Sequence, residues 1–274
     1  MKKTHFIGVI VSVLLSVLLS VLFVETLPAH EFYVIPDEVK DYKAGDTVKI
    51  NALSTHYFTV GEELEPVEVN EALVYKNGRQ SGGALPLEKN VDRLWYETTY
   101  RLTDDTPVVI VGNRKGGYYC RFTDGGYADG TRAEVSAAMP GKTIATARYL
   151  AKYSKLYLNP SASDASFSTP LGHDLEIIPL TNPAKLKKGA KAKFQVLYKK
   201  QPLVNTEVAA TWDYYNYKTP DTYAHKEKTD AKGEVTFKLD SKGIWIVRAS
   251  DTRPSTKPDT DEDNIAAIVV FAVK

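Results

Sequence analysis

Short stretches of alternating apolar and polar residues, separated by turn signals, make up most of this chain. In one stretch Val48, Ile50 and Ala52 alternate with polar neighbours, which is the period of a strand with one buried face. An Asn-Gly dipeptide at positions 77–78, typical of a tight hairpin turn, ends another stretch. Residues 265–273 form a final strand that is almost wholly apolar. The pattern predicts an all-β protein.

Two β-rich halves are expected, with a helical segment between them. Residues 30–130 and 171–274 each show the strand and turn spacing of an immunoglobulin-like β-sandwich. Residues 131–170 lie between them, and good helix formers without an internal proline favour a helix from about 141 to 158. A Ser/Ala-rich linker follows this helix. One long, irregular β-domain is the alternative organisation.

The first 29 residues have the features of a secretory signal peptide. Two lysines precede an apolar run over residues 6–24, and a Pro-Ala dipeptide ends the segment. Cleavage after Ala29 makes His30 the first residue of an exported chain. Because the apolar run is longer than the roughly 7–15 residues of a usual signal core, an uncleaved membrane anchor is the alternative, and only that case predicts membrane contact.

Charge balance and cysteine count limit the classes of partner and of stabilising bond. The chain has 35 Lys+Arg and 34 Asp+Glu, and without the predicted signal peptide 33 of each remain. With no basic excess to meet phosphates, nucleic acid is not expected as a partner. Cys120 is the only cysteine, so an internal disulfide cannot form. Its alternating apolar neighbours predict a buried position in a strand.

Histidines are the candidate metal ligands. Imidazole and amine nitrogens suit Ni, Co, Cu and Zn, whereas Ca and Mg prefer oxygen. His30 would offer its α-amine and its imidazole, His56 follows a predicted strand, and His173 follows a glycine ahead of another strand. We expect these three to converge. Glu176 is a candidate fourth ligand, although on a regular strand it would point away from His173. His225, in a Lys-rich loop, is expected to be exposed.

Catalysis is not expected, because the sequence lacks G-x-S-x-G, H-E-x-x-H and a nucleophile with a plausible base. The chain is therefore predicted not to be an enzyme. A rival to metal binding is a cell-envelope β-sandwich module that binds glycan or a protein partner through the aromatic residues over 212–223. Trp212 and Tyr214 are nevertheless expected to alternate into the core.

Three segments resemble one known family. They are residues 29–32 (AHEF), 172–179 (GHDLEIIP) and 229–245. The family is the periplasmic one, formerly of unknown function, that is associated with nickel/cobalt uptake (NikM-like). The resemblance implies periplasmic export, two β-sandwich parts and a membrane metal transporter as partner. It also implies a divalent metal ion, Ni²⁺ or Co²⁺ before Cu²⁺ or Zn²⁺. Among the candidate ligands it points to His30 and His173.

Overall fold

Strands dominate the part of the chain that the computed structural model describes, residues 30–66, 68, 70–216 and 218–274. Seventeen strands form three sheets, and the described residues contain a single α-helix. The prediction of a mainly β protein is confirmed. Cys120 is fully buried in a strand, as its neighbours predict. The predicted signal peptide and its cleavage point lie outside the described residues.

The strands and the helix have the following bounds. The strands are β1 (Glu31–Pro36), β2 (Thr47–Thr55), β3 (Asn70–Lys76), β4 (Arg79–Gln80), β5 (Glu88–Asn90), β6 (Trp95–Arg101), β7 (Val108–Phe122), β8 (Tyr127–Asp129), β9 (Ile144–Leu158), β10 (Leu175–Pro179), β11 (Lys191–Tyr198), β12 (Gln201–Pro202), β13 (Glu207–Trp212), β14 (His225–Lys228), β15 (Glu234–Lys238), β16 (Gly243–Pro254) and β17 (Glu262–Val273). The helix, α1, is Arg132–Ala138.

The largest sheet draws its strands from both halves of the chain. Its nine strands run β14-β13-β16-β17-β9-β7-β3-β4, with β8 beside β7. The two smaller sheets are β1-β2-β6-β5, called here the first small sheet, and β10-β11-β12 with β15 beside β11, called here the second small sheet. The segment 131–170 therefore does not separate two sheets, since β9 pairs antiparallel with β7 and parallel with β17. Residues 31–274 form one compact unit.

The nine-stranded sheet lies between the two small sheets. On β17, Ile268 and Val270 pack into the cluster with the first small sheet, whereas Val269 and Phe271 pack into the cluster with the second. Successive residues of a strand point to opposite faces, so both faces of β17 are covered. This coverage explains why its sequence is apolar at every position from Ile265 to Val273.

A strand occupies the segment for which the sequence predicts a helix. β9 runs over Ile144–Leu158 and pairs with a neighbour on each side. The helix prediction is wrong because intrinsic preference spans only about 0.7 kcal/mol per ordinary residue, and pairing with two strands outweighs it. The helix α1 begins earlier, where Thr131 and Glu134 form a capping box.

Two lysines of β9, Lys152 and Lys155, are buried, one on each face of the sheet. Lys152 lies 3.6 Å from a carboxylate oxygen of Glu65. Lys155 contacts the carboxylate of Glu176, and both residues are 2% exposed. Glu176 also accepts backbone N–H bonds from Leu171 at 2.5 Å and Gly172 at 3.1 Å. Burial alone would raise the pKa of Glu176, but Lys155 and the two amides outweigh it and leave that pKa below its usual value. Glu176 is therefore held as a carboxylate within the fold.

Replacing Lys155 with methionine would leave the buried carboxylate of Glu176 without its counter-charge. We expect Lys155→Met to lower the free energy of unfolding by about 3–5 kcal/mol, measured by urea denaturation at neutral pH. Lys142→Met is the matched control, since Lys142 makes an exposed pair with Asp124 at 2.5 Å. That control should change stability by less than about 1 kcal/mol. Equal losses in both variants would contradict the assignment.

Candidate metal centre

Two histidines and a glutamate come together at one end of the first small sheet. His30 directly precedes β1, and His56 directly follows β2. The two strands pair antiparallel with Glu31 opposite Thr55, which places the two histidines side by side at the strand ends. One ligand atom from each of His30, His56 and Glu62 lies within 4.8 Å of the others.

Glu62 reaches this group because the chain turns back after His56. Ser54 forms an isolated bridge with Glu63, and the backbone N–H groups of Glu62 and Glu63 both donate to Ser54 O at 3.3 Å. Glu62 Oε2 accepts from Thr55 Oγ1 at 2.9 Å and from the His56 backbone N–H. The same oxygen lies 3.4 Å from His56 Nδ1. Backbone and side-chain bonds together fix the carboxylate beside the imidazole.

The donor set of this centre suits a borderline transition metal. Two imidazole nitrogens and one carboxylate oxygen are ligands that Zn, Ni, Co and Cu accept. The side chains of His56 and Glu62 are 19% and 28% exposed, so an ion can reach the centre from solvent. If His30 is the first residue of the mature chain, its α-amine is a further nitrogen donor.

Acidic side chains outnumber basic ones around the centre. The backbone N–H of Asp221 donates to His56 O at 2.9 Å. Burial raises the pKa of Asp221, and the charges of Glu31 and Glu62 add to this, while His56 and Arg248 oppose it. Arg248 in turn contacts the Glu31 carboxylate. Lys152 of β9 also acts on Glu31. Three carboxyl groups therefore lie near two cationic side chains, which leaves a small acidic excess for a bound cation.

His173 and Glu176 lie on the opposite face of the nine-stranded sheet. The His173 ring stacks on Tyr153, with centroids 4.5 Å apart and planes at 4°. Tyr153 packs against the cluster of the second small sheet, whereas the next residue, Ser154, accepts a backbone hydrogen bond from β1 in the first. Alternation along β9 thus separates the two regions. The predicted convergence of His173 with the other two histidines is wrong.

His173 and Glu176 are instead neighbours in a buried charge cluster. His173 precedes β10, so the expectation that it and Glu176 point to opposite faces does not apply. Burial lowers the pKa of His173 from 6.5 to about 4, and Lys155 acts in the same direction against Glu176 and Asp174. The imidazole is therefore neutral at pH 7. Glu176 already binds Lys155 and two amides, which leaves it poorly placed to hold a metal ion.

Acid should destabilise the fold through His173. Its pKa is near 6.5 when unfolded and about 4 when folded, so the unfolded state takes up the proton first. The associated stability is present above pH 6.5 and is lost as the pH falls towards 4, by up to about 3 kcal/mol. Urea denaturation of wild type and His173→Phe across this range tests it, with the phenyl ring preserving the stacking on Tyr153. If the free energy of unfolding of the two proteins depends on pH in the same way, His173 is not the group responsible.

Two further expectations from the sequence differ from the structure. His225 is half-buried, and its ring stacks on Trp245 with centroids 6.1 Å apart and planes at 14°. Tyr214 is 79% exposed because β13 ends at Trp212 and Tyr214 lies in a turn with φ 64°. Both predictions are wrong. His225 is not in a loop but begins β14, where it pairs with Ala210. Tyr214 lies beyond the end of β13, so the alternation of that strand does not extend to it.

Glu62 is the ligand candidate that sequence reasoning missed. The available signal was an acidic residue six positions after a histidine that ends a strand. That spacing matches no short metal-binding motif, and only the turn that bridges Ser54 and Glu63 brings the carboxylate back. The loop closure is a tertiary feature, so the spacing alone could not reveal it.

Comparisons with known proteins give one family match and distant structural similarities. A family model described as a domain of unknown function (DUF4198) matches residues 27–253, and its description names neither nickel nor cobalt. Curated proteins gave no match. A solved structure of the D0-D1 domain of intimin is 14% identical in sequence and has a TM-score of 0.21. The match covers 89% of this chain and 99% of the intimin chain. The human OSCAR ligand-binding domain is 11% identical and has a TM-score of 0.21. The match covers 90% of this chain and 100% of the OSCAR chain.

None of the helices in the described part of the chain is long and apolar enough to cross a bilayer.

Proposed function

This chain belongs to the DUF4198 family, and we propose that it is an exported, non-catalytic protein that binds a divalent transition-metal ion in the periplasm. It captures the ion for a membrane metal transporter or delivers the ion to it. Ni²⁺ or Co²⁺ is the proposed ion, with Cu²⁺ and Zn²⁺ as alternatives. One observation carries the proposal: His30, His56 and Glu62 have ligand atoms within 4.8 Å of one another.

The choice of ion follows from donor chemistry and from the family resemblance together. The affinity of two nitrogens and a carboxylate for divalent first-row metals rises in the order Mn, Fe, Co, Ni, Cu, and the affinity for Zn is lower than that for Cu. Intrinsic affinity therefore favours copper, and selectivity for nickel or cobalt rests on geometry and supply. The resemblance of residues 29–32 and 172–179 to a nickel/cobalt-associated family supports these two ions.

The immunoglobulin-like character of residues 171–274 is part of the proposal. Here the second small sheet packs against β13, β16 and β17 of the nine-stranded sheet around one apolar cluster. Two antiparallel sheets packed face to face are the arrangement of an immunoglobulin-like sandwich. The N-terminal half shares the same large sheet rather than a separate one.

Metal titration of the mature protein, prepared with His30 as its first residue, tests the function. Calorimetry should show binding of Ni²⁺ or Co²⁺ tighter than about 10 μM. His56→Ala and Glu62→Gln should each weaken it at least about tenfold, because each removes a donor. Glu63→Gln and His173→Phe are the matched controls and should bind as wild type. No binding of Ni²⁺, Co²⁺, Cu²⁺ or Zn²⁺ at this level would refute the proposal.

The position of His30 at the chain terminus has its own test. One extra residue ahead of His30 should weaken metal binding, since it converts the α-amine into an amide that is a much poorer ligand. Binding in both proteins should also weaken as the pH falls, because protons compete for the imidazole nitrogens. Unchanged affinity in the extended protein would remove the α-amine from the centre and leave the imidazoles.

The alternative function is a glycan- or protein-binding module without metal. Tyr214 and Tyr215 favour it, because they are 79% and 42% exposed at the end of β13, and exposed aromatic rings stack on sugars. Tyr215 also contacts the Trp212 ring, with centroids 4.8 Å apart. Glycan binding that is lost in Tyr214→Ala, by a protein that binds no metal ion, would favour this alternative.

A further inference from the structure

A small cavity shares one lining residue, His56, with the candidate metal centre. Its lining includes Glu31 from β1, Thr211 from β13 and Asp221 from the following loop. His56 lines it as well. The cavity volume is about 10 Å³, which is room for a single water-sized group. One candidate metal ligand therefore lines the same small space as the side chains of Glu31, Thr211 and Asp221.

Two of these side chains carry a buried oxygen that makes no hydrogen bond within the described part of the chain. They are Glu31 Oε2 and Thr211 Oγ1, in residues that are 4% and 2% exposed. The other Glu31 oxygen contacts Arg248. A buried oxygen left unpaired costs about 1–3 kcal/mol, so two such oxygens lining one cavity indicate a hydrogen-bonding occupant.

From this geometry, and on the basis of the proposed function, we infer that the metal ion carries a water molecule seated in this cavity. The water donates a hydrogen bond to Glu31 Oε2 and shares one with Thr211 Oγ1. With its bond to the ion it has three partners, the usual number for a buried water. The ligand set is then the two imidazoles, the Glu62 carboxylate, the α-amine of His30 when that residue is the chain terminus, and one water.

Chemistry and size both favour water over other occupants. Glu31 Oε2 can only accept, so the occupant must supply a hydrogen, which a chloride ion cannot do. The cavity volume of about 10 Å³ matches one water-sized group better than a larger anion or a chelating small molecule. A water ligand also suits transfer of the ion, because a receiving group on another protein can displace it without first breaking a bond between protein and metal.

Thr211→Val tests the inference, because valine keeps the shape of threonine and removes only the hydroxyl. Thr98→Val is the matched control, since Thr98 Oγ1 is also buried and unpaired but Thr98 does not line the cavity. Cu²⁺ is the probe, and pulsed EPR in H₂O and D₂O detects a coordinated exchangeable water. Wild type and Thr98→Val should show a strongly coupled deuterium signal in D₂O, and Thr211→Val should lose or shift it.

Affinity gives a second measurement. Thr211→Val should weaken Cu²⁺ binding about 5- to 20-fold, the range expected for one lost hydrogen bond, while Thr98→Val binds as wild type. Thermal unfolding without metal should show both variants folded. Cu²⁺ binding with no coordinated water, or with the same water signal in Thr211→Val, would overturn the inference and leave the metal centre standing. No Cu²⁺, Ni²⁺ or Co²⁺ binding by wild type would overturn both.

Discussion

Burial of both faces of the nine-stranded sheet is the constraint on which the rest of the structure depends. β9 and β17 run parallel at its centre, with a small sheet packed on each side. A strand covered on both faces has no solvent side on which to place its polar residues. Apolar side chains fill every position of β17 from Ile265 to Val273, while β9 buries Lys152 and Lys155, each against a glutamate.

The same layering decides which histidines can meet. His56 belongs to the first small sheet, and His173 lies with the second, so the nine-stranded sheet stands between them. The separation follows from the two-residue period of β9, where Tyr153 and Ser154 face different layers. His56 is thereby placed beside acidic side chains, and His173 is half-buried with its pKa lowered to about 4. The two environments suit different roles, ion binding and structural support.

Antiparallel pairing explains the candidate centre more simply than any motif does. Once β1 and β2 pair with Glu31 opposite Thr55, His30 and His56 become neighbours at the sheet end. The residue pattern predicts strand β2 and places His56 just after it, so the sequence alone identifies this half of the centre. Glu62, Thr211 and Asp221 are not identified in this way, because they come from a loop closure, another sheet and a distant turn.

The sequence by itself determines the mainly β character, the burial of Cys120 and the types of donor atom available at His30 and His56. These follow from residue period and side-chain type, which act over a few positions. Tertiary structure alone decided that residues 144–158 are a strand, that both halves share one sheet, and that Glu62 replaces His173 at the centre. Each of these depends on pairing or packing between residues that are far apart in the chain. Such contacts outweigh the weak local preferences of the residues, and they cannot be read from a short stretch of sequence.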